Sequence, residues 1–484
     1  MRMRSAISLV VWLTIGGPAW SAEPVAPDDA VVPSVHERLH ELEAQVKTLQ
    51  QTSATANALP PMQCVEGSDC TGCGQADCEH CGRGVCPNCG HAKANCTCVD
   101  PWFGSGSPKV RLTGFFQLDA AYYDQDSASS ATLGDIADGL SFRRARVAAA
   151  GDINEYTSFI VEFDFAQAQA RFVDVWMQLK ETPLGNMRIG RFRQPFGMNE
   201  LTSIRELPFL ERPLMFAMGP FRQTGVMLFD TAFDDQATWA VSGYRYNSDN
   251  FGDVYTDTGG YGLASRVTAL LVDGGDNRIV HVGADYSYND PGNTAIRYAS
   301  TNEVFVGQST GGVLPFPASS VPPFVDTGEN LLDRTSLFNL EGAASLGQAL
   351  LQSEVRWNQV QMSDGTWNTF PSAYAHARYM LTGEVIPYNR QGGVFGRVKP
   401  RNPVSLRTGG IGAWEVAGRV SHLDLNGAGI AGPGRRLTDY TFGLNWYLND
   451  FTKFQFNYIR AQLDDPTLGD SSTNTLAVRG QLDF

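Results

Sequence analysis

Residues 441–458, TFGLNWYLNDFTKFQFNY, contain two short stretches in which large apolar side chains alternate with polar or small ones. Successive side chains of a β-strand point to opposite faces, so a period of two predicts a strand with one apolar and one polar face. We therefore predict two consecutive strands here. Their apolar positions are Phe442, Leu444, Trp446 and Leu448 in the first strand and Phe454, Phe456 and Tyr458 in the second.

The same alternation recurs between residues 110 and 484, for example in 112–122, 159–165 and 476–484. A soluble β-sandwich also alternates. Here, however, the polar face is strongly hydrophilic and the apolar face is rich in aromatic residues over segments of about ten residues, which favours a membrane barrel. This length has room for about 14 to 18 strands, and a barrel of that size encloses water rather than a packed core. We predict an all-β, transmembrane antiparallel β-barrel over residues 110–484.

The composition of the 484-residue chain limits the classes of function. Its formal net charge of −14 argues against nucleic acid as a partner, because a nucleic-acid-binding surface is basic. No apolar run of about 18 residues follows the N-terminal segment, so no helical membrane span is expected. Six of the 37 cationic residues are lysines and the rest are arginines, whose planar, permanently charged guanidinium offers a fork of hydrogen-bond donors.

The region before the barrel contains several separate segments. Residues 1–22 are predicted to be an export signal, because Arg2 and Arg4 precede a short apolar core and small residues suited to cleavage; an N-terminal anchor helix is the alternative. After a proline-rich spacer over 23–33, residues 34–52 have apolar positions at spacings of three and four, which predicts a short coiled coil. A lone helix of this length is marginal in water, so it indicates either an oligomer or a helix that packs on its own domain.

All nine cysteines lie within residues 53–109, and three CxxC pairs repeat every eight residues from Cys70. With His80 and His91 nearby, these thiols could bind zinc in tetrahedral sites. The oxidising compartment of an exported protein favours disulfides instead, and redox activity is a third alternative. We expect a small segment cross-linked by disulfides, followed by a linker rich in Pro, Gly and Ser.

A second informative stretch is 188–226, RIGRFRQPFGMNELTSIRELPFLERPLMFAMGPFRQTGV, which has six arginines and three carboxylates. A strand is predicted to run to about Gln194 and to break at Pro195 and Gly197, after which no clean period continues. The following residues are too apolar for disorder, so we expect this long connection to pack against the protein and to narrow a pore. The alternative is an ordinary surface loop with solvated arginines.

Several segments of the barrel region together carry a family resemblance. They are LSFRRARV (140–147), RIGRFRQPFG (188–197), FLERPLMFAMGPFRQTGV (209–226), YMLTGEV (379–385), GAWEVAGRVSHLDL (412–425), GLNWYLNDFTKFQFNYIR (443–460) and LAVRGQLDF (476–484). On these segments, residues 110–484 resemble the phosphate-selective porin O/P family of outer-membrane channels.

The resemblance implies a sixteen-stranded barrel, usually a homotrimer, in contact with outer-membrane lipid. It further implies a loop folded into the lumen over about 197–224, with basic residues along the path. The implied function is passive diffusion of small anions such as phosphate, and we expect no cofactor and no metal. The N-terminal segments lie outside the family core and are expected to be periplasmic.

Arginine suits such a pathway because a guanidinium replaces part of an anion's hydration shell with charge-assisted hydrogen bonds. Alternation places Arg143 on the face opposite Arg144 and Arg146, whereas Arg191 and Arg193 share a face. For any single arginine, an ion pair with a neighbouring carboxylate is the alternative. The predicted pore-lining residues are Arg143, Arg144, Arg146, Arg191, Arg193, Arg205, Arg212 and Arg222, with Arg419 and Arg479 as further candidates.

Two other classes of function remain as alternatives to an anion channel. A tether or adhesin would use the coiled coil and the Cys-rich segment to hold the cell wall or another periplasmic partner. An outer-membrane hydrolase would need a Ser/His pair assembled from distant strands, because the barrel region has only His281, His376 and His422 and no G-x-S-x-G or HExxH motif.

Overall fold

The computed structural model describes residues 64–65, 97–98, 108–166, 170–249, 252–253, 259–274, 277–306 and 321–484. The predicted export signal, spacer and coiled coil, and most of the Cys-rich segment, lie outside these residues. The chain divides into two compact units, Met1–Ser105 and Gly106–Phe484. In the first unit, the two-residue strands Cys64–Val65 and Thr97–Cys98 pair antiparallel.

The second unit contains a closed barrel of sixteen long antiparallel strands, in which the last strand pairs with the first. The predicted fold class is therefore confirmed. The strands are β1 (Lys109–Gln125), β2 (Gly139–Asp152), β3 (Thr157–Asp164), β4 (Arg171–Thr182), β5 (Gly185–Arg193), β6 (Arg222–Ala232), β7 (Ala237–Arg245), β8 (Tyr261–Gly274), β9 (Arg278–Asp290), β10 (Asn330–Leu346), β11 (Ala349–Met362), β12 (Trp367–Met380), β13 (Ala413–Asp424), β14 (Arg436–Tyr447), β15 (Thr452–Asp465) and β16 (Gly469–Asp483).

Alternation along these strands separates the two faces of the barrel wall. On the outer face, the side chains of Phe142, Phe442 and Leu476 are 55%, 56% and 56% exposed. On the inner face, Asn445 and Arg479 are fully buried. An apolar outer surface around a polar interior is the arrangement that a lipid bilayer requires of a barrel.

The helices of the second unit are short. Helix α1 (Ser127–Leu133) begins after Asp126, whose side chain accepts a hydrogen bond from the amide of Ser129, and helix α2 is Met198–Leu201. Single 3-10 turns occur at Ile204–Glu206 and Leu214–Met218. No helix in the described part of the chain has the length and apolar character needed to cross a membrane.

Three connections between strands are long, and each is given a name that is defined here by its residue range. The constriction loop (194–221) joins β5 to β6, the second loop (291–329) joins β9 to β10, and the third loop (381–412) joins β12 to β13. The third loop leaves the barrel at the end where the other connections are short turns. Two-residue strands within the second and third loops are Ala295–Ile296, Ala299–Ser300, Val325–Asp326, Tyr388–Asn389 and Val394–Phe395.

Apolar residues of the three loops are buried inside the barrel. Leu210 and Leu214 of the constriction loop share one cluster with Val304 and Phe324 of the second loop. A second cluster joins Met198 of the constriction loop to the third loop. Each fully buried large apolar side chain stabilises such packing by about 1.5–3 kcal/mol. Further members of the two clusters are Leu337, Phe370, Leu437 and Ile459 in the first, and Leu350, Phe395, Val398 and Tyr447 in the second.

Candidate functional site: an arginine-lined cavity

The constriction loop is held against one side of the barrel wall through its backbone carbonyl groups. Lys453 and Gln455 of β15 donate hydrogen bonds to the carbonyl oxygen of Leu207, at 3.1 and 3.0 Å. Asn445 of β14 donates to the carbonyl oxygen of Pro208 at 2.8 Å. An irregular segment cannot satisfy its own backbone groups, so inward polar side chains of the strands take that role.

Strand β11 supplies a second set of contacts to the same loop. The carboxylate of Glu354 accepts hydrogen bonds from the amides of Met198 and Asn199, at 3.1 and 2.8 Å. Arg356 forms an ion pair with Glu200 at 2.7 Å. No residue from 194 to 221 is exposed. The loop is therefore packed within the barrel rather than on its outer surface.

A cavity of about 400 Å³ lies between the constriction loop and strands β2–β6. Seven of the eight predicted arginines line it, together with Arg171. The two lining carboxylates are Asp164 and Glu211. The lining arginines are Arg143, Arg144, Arg146, Arg171, Arg191, Arg193, Arg212 and Arg222.

Arg143 and Arg144 point to the same side, which corrects the expectation drawn from strict alternation. In the register of β1 with β2, Gln117 pairs with Arg144 and the next residue, Leu118, pairs with Phe142. Arg143 is thus the extra residue of a β-bulge, and a bulge shifts the alternation by one position. As a result Phe142 faces outward while both arginines reach into the barrel.

Two arginines of the cavity each bind an aspartate of the same wall. Arg146 lies 2.8 Å from Asp164, and Arg222 lies 3.0 Å from Asp174. Arg222 was expected on the loop but is the first residue of β6. For these two side chains the positive charge is largely offset at short range.

Three other arginines of the cavity have no carboxylate partner among the described residues. Arg191 donates to the hydroxyl of Ser248 at 2.7 Å. Arg193 donates to the carbonyl oxygens of Leu201 and Thr202, at 2.8 and 3.0 Å. Arg212 donates to the carbonyl oxygen of Thr202 at 2.8 Å and to oxygens of Asn199. These three side chains therefore contribute guanidinium groups to the cavity that are in no ion pair with a described carboxylate.

The ring of Phe221 lies among three guanidinium groups of the cavity. The guanidinium carbons of Arg193, Arg212 and Arg222 are 6.0, 5.6 and 4.6 Å from its centre. Phe216 packs edge-on against the same ring at 4.7 Å between centres. The negative face of an aromatic ring attracts cations, so Phe221 offsets part of the repulsion between these like charges.

The remaining predicted arginines lie outside the cavity lining. The guanidinium carbon of Arg205 lies 5.3 Å from the ring centre of Phe115. Arg479 forms an ion pair with Asp119 at 2.6 Å, and Arg419 pairs with Glu303 of the second loop. Their roles in the pore stay predictions.

Three charged residues of the cavity, Asp164, Arg171 and Glu211, are not among the site residues predicted from the sequence. Arg171 is isolated from the arginine clusters, so no local pattern marks it. Glu211 is one of three carboxylates in the constriction loop, and only the folded chain brings Arg143, Arg144 and Arg479 around it. Burial alone would raise the pKa of Glu211, but these three guanidiniums hold its pKa well below the ordinary value.

A group of buried carboxylates lies beneath the constriction loop. Ligand atoms of Asp285, Glu341 and Glu354 lie within 4.8 Å of one another. The guanidinium of Arg266 lies 2.6 Å from Glu341 and 3.6 Å from Asp285. Arg266 therefore places one positive charge beside two of these three carboxylates.

The closed barrel, its apolar outer face and the loop packed inside it define an outer-membrane porin. Residues 110–484 match the family described as phosphate-selective porin O and P, and the chain belongs to this family. A relative, Porin O of Pseudomonas aeruginosa, is 25% identical over 405 residues, which is 77% of this chain and 88% of that protein.

Two solved structures are also similar to this chain. An anion-selective porin from Comamonas acidovorans is 15% identical, with 78% of this chain and 100% of that chain covered and a TM-score of 0.49. The outer membrane channel DcaP of Acinetobacter baumannii is 11% identical, with 78% and 98% covered and a TM-score of 0.49.

Proposed function

We propose that this porin is a passive diffusion channel selective for small anions such as phosphate. The observation that carries the proposal is the cavity between the constriction loop and β2–β6, with its eight arginines and two carboxylates. Three of those arginines, Arg191, Arg193 and Arg212, form no ion pair with a carboxylate among the described residues.

The cavity suits transient rather than permanent binding. Its guanidinium groups are spread over several strands and the constriction loop, so an anion passes from one donor set to the next. Arginine forks match the oxygen geometry of phosphate and carboxylate groups. The excess of acidic residues over the whole chain does not oppose this, because it is the local charge around the narrow part that acts on the ion.

The proposal also covers the oligomeric state of the protein and the location of its N-terminal region. We expect a homotrimer in the outer membrane, and we expect residues before the barrel to lie on the periplasmic side. There the coiled coil and the Cys-rich segment would be free to hold a cell-wall or periplasmic partner, so a tethering role is compatible with a channel.

The test is a current measurement on the purified protein in a planar lipid bilayer. A gradient of potassium chloride should give stepwise conductance and a reversal potential with the sign of an anion-selective pore. Added phosphate should reduce the chloride current, because the two anions share the same arginines. A cation-signed reversal potential, or no conductance from correctly folded protein, would refute the proposal.

A further inference from the structure

The carboxylate of Glu211 is surrounded by guanidinium groups in the way that a bound oxyanion would be. Arg144 binds both of its oxygens at 3.0 Å. Arg143 donates from Nε at 2.9 Å, and Arg479 donates from Nη2 at 2.9 Å. Paired donors to one carboxylate are the geometry that arginine also uses for phosphate.

The position of the loop at this point does not depend on that side chain alone. Arg419 of β13 donates to the carbonyl oxygen of Glu211 at 3.0 Å. Arg479 donates to the carbonyl oxygen of Leu210. The backbone is thus held by β13 and β16, while the carboxylate binds the two arginines of β2 and Arg479.

The three arginines around Glu211 differ in their other partners. Arg479 is fully buried and already binds Asp119 at two distances of 2.6 Å. Arg143 and Arg144 line the cavity, and Glu211 is their carboxylate partner. One negative charge therefore offsets two cavity-facing positive charges, and it does so at the donor positions that a solute would use.

From this arrangement we propose that Glu211 is an internal counter-ion that determines the anion specificity of the channel. Its carboxylate fills donor positions on Arg143 and Arg144 that a permeating oxyanion would otherwise take. Anions are then held mainly by Arg191, Arg193 and Arg212, and they leave quickly enough to permit flux. This inference rests on the proposed anion channel.

The experiment compares the wild-type protein with Glu211→Gln in planar bilayers. The glutamine keeps the size of the side chain but removes its charge, so the concentration of phosphate that halves the chloride current should fall by about threefold or more. The anion-to-cation permeability ratio should rise in the same variant. An unchanged or higher half-inhibitory concentration in an open channel would overturn the inference.

The matched control is Glu303→Gln. Glu303 is also a buried loop carboxylate, and it pairs with Arg419, but it does not line the cavity. This variant should leave phosphate inhibition within about twofold of the wild type. Equal shifts in both variants would show a general effect of loop packing and would refute a specific role of Glu211.

A second variant covers the case in which Glu211→Gln does not fold. Arg143→Gln removes an arginine whose donor positions Glu211 already fills, so it should raise the half-inhibitory phosphate concentration less than Arg191→Gln does. An equal or larger rise for Arg143→Gln would overturn the inference. The reversal potential of the wild type tests the anion channel separately. If the wild-type reversal potential has the anion sign and Glu211→Gln does not differ from the wild type, the counter-ion role is refuted and the anion channel is not.

Discussion

Glu200 and Arg356 form an ion pair of 2.7 Å between the constriction loop and β11, and both side chains are almost completely buried. The same guanidinium donates to the carbonyl oxygen of Met215 at 2.9 Å and lies 4.6 Å from the ring centre of Phe196. One side chain thus binds the loop at three separated points along its sequence.

Replacing Arg356 by alanine should therefore loosen the loop and destabilise the barrel. Glu200 would remain as a buried charge without its partner, and breaking a buried pair in this way costs about 3–5 kcal/mol. Unfolding in urea, followed by circular dichroism, should show the loss, and single-channel currents should become noisier. Arg334→Ala is the control, since Arg334 is exposed and donates to Gln361; equal stability losses in the two variants would contradict the prediction.

Gly219 leaves space for the same ion pair. A β-carbon at this position would overlap both carboxylate oxygens of Glu200, so Gly219→Ala should displace the carboxylate and cost about 1–3 kcal/mol through overpacking. Gly418→Ala is the matched control, because a β-carbon there meets no atom within 4 Å. The midpoint of urea unfolding measures both, and a midpoint for Gly219→Ala no lower than that of Gly418→Ala would argue against this packing.

Arg191 and Arg188 belong to the same strand but have different surroundings. Arg191 lines the cavity, whereas Arg188 donates to Gln178 and lies 4.2 Å from the ring centre of Trp176. Arg191→Gln should lower the anion-to-cation permeability ratio by about twofold or more, because it removes a cavity charge that is in no ion pair among the described residues. Reversal potentials should barely move for Arg188→Gln. The opposite ranking of the two variants would show that the cavity is not the selective region.

The effect of Glu211 on selectivity should persist on mild acidification. Its pKa is lowered in the folded protein, so its stabilising contribution is present above the ordinary glutamate pKa and is lost as pH falls through the lower, folded-state pKa. The difference in reversal potential between wild type and Glu211→Gln should therefore be the same at about pH 7 and pH 4, although a glutamate with its ordinary pKa would be mostly protonated at the lower value. Loss of that difference between these two pH values would mean that the carboxylate titrates normally.

Alternation was sufficient to predict the strands and their two faces, because the side-chain direction in a strand reverses at each residue whatever the partner strand is. The apolar positions of 441–458, including Phe442, Phe454 and Phe456, lie on the outer face as that period requires. The richness of the 188–226 stretch in arginine also marked the region of the cavity. These are local properties of the chain, and a single sequence displays them.

Only the tertiary structure decided which arginines act together. The bulge at Arg143 shifts the alternation by one residue, and it depends on the register of β2 against β1. Arg171 and Glu211 come to the cavity through barrel closure and loop folding, which join residues far apart in sequence. The sequence by itself determined the strands, their two faces and a supply of guanidinium groups. The fold decided their pairing, because an ion pair depends on distance in space and not on separation along the chain.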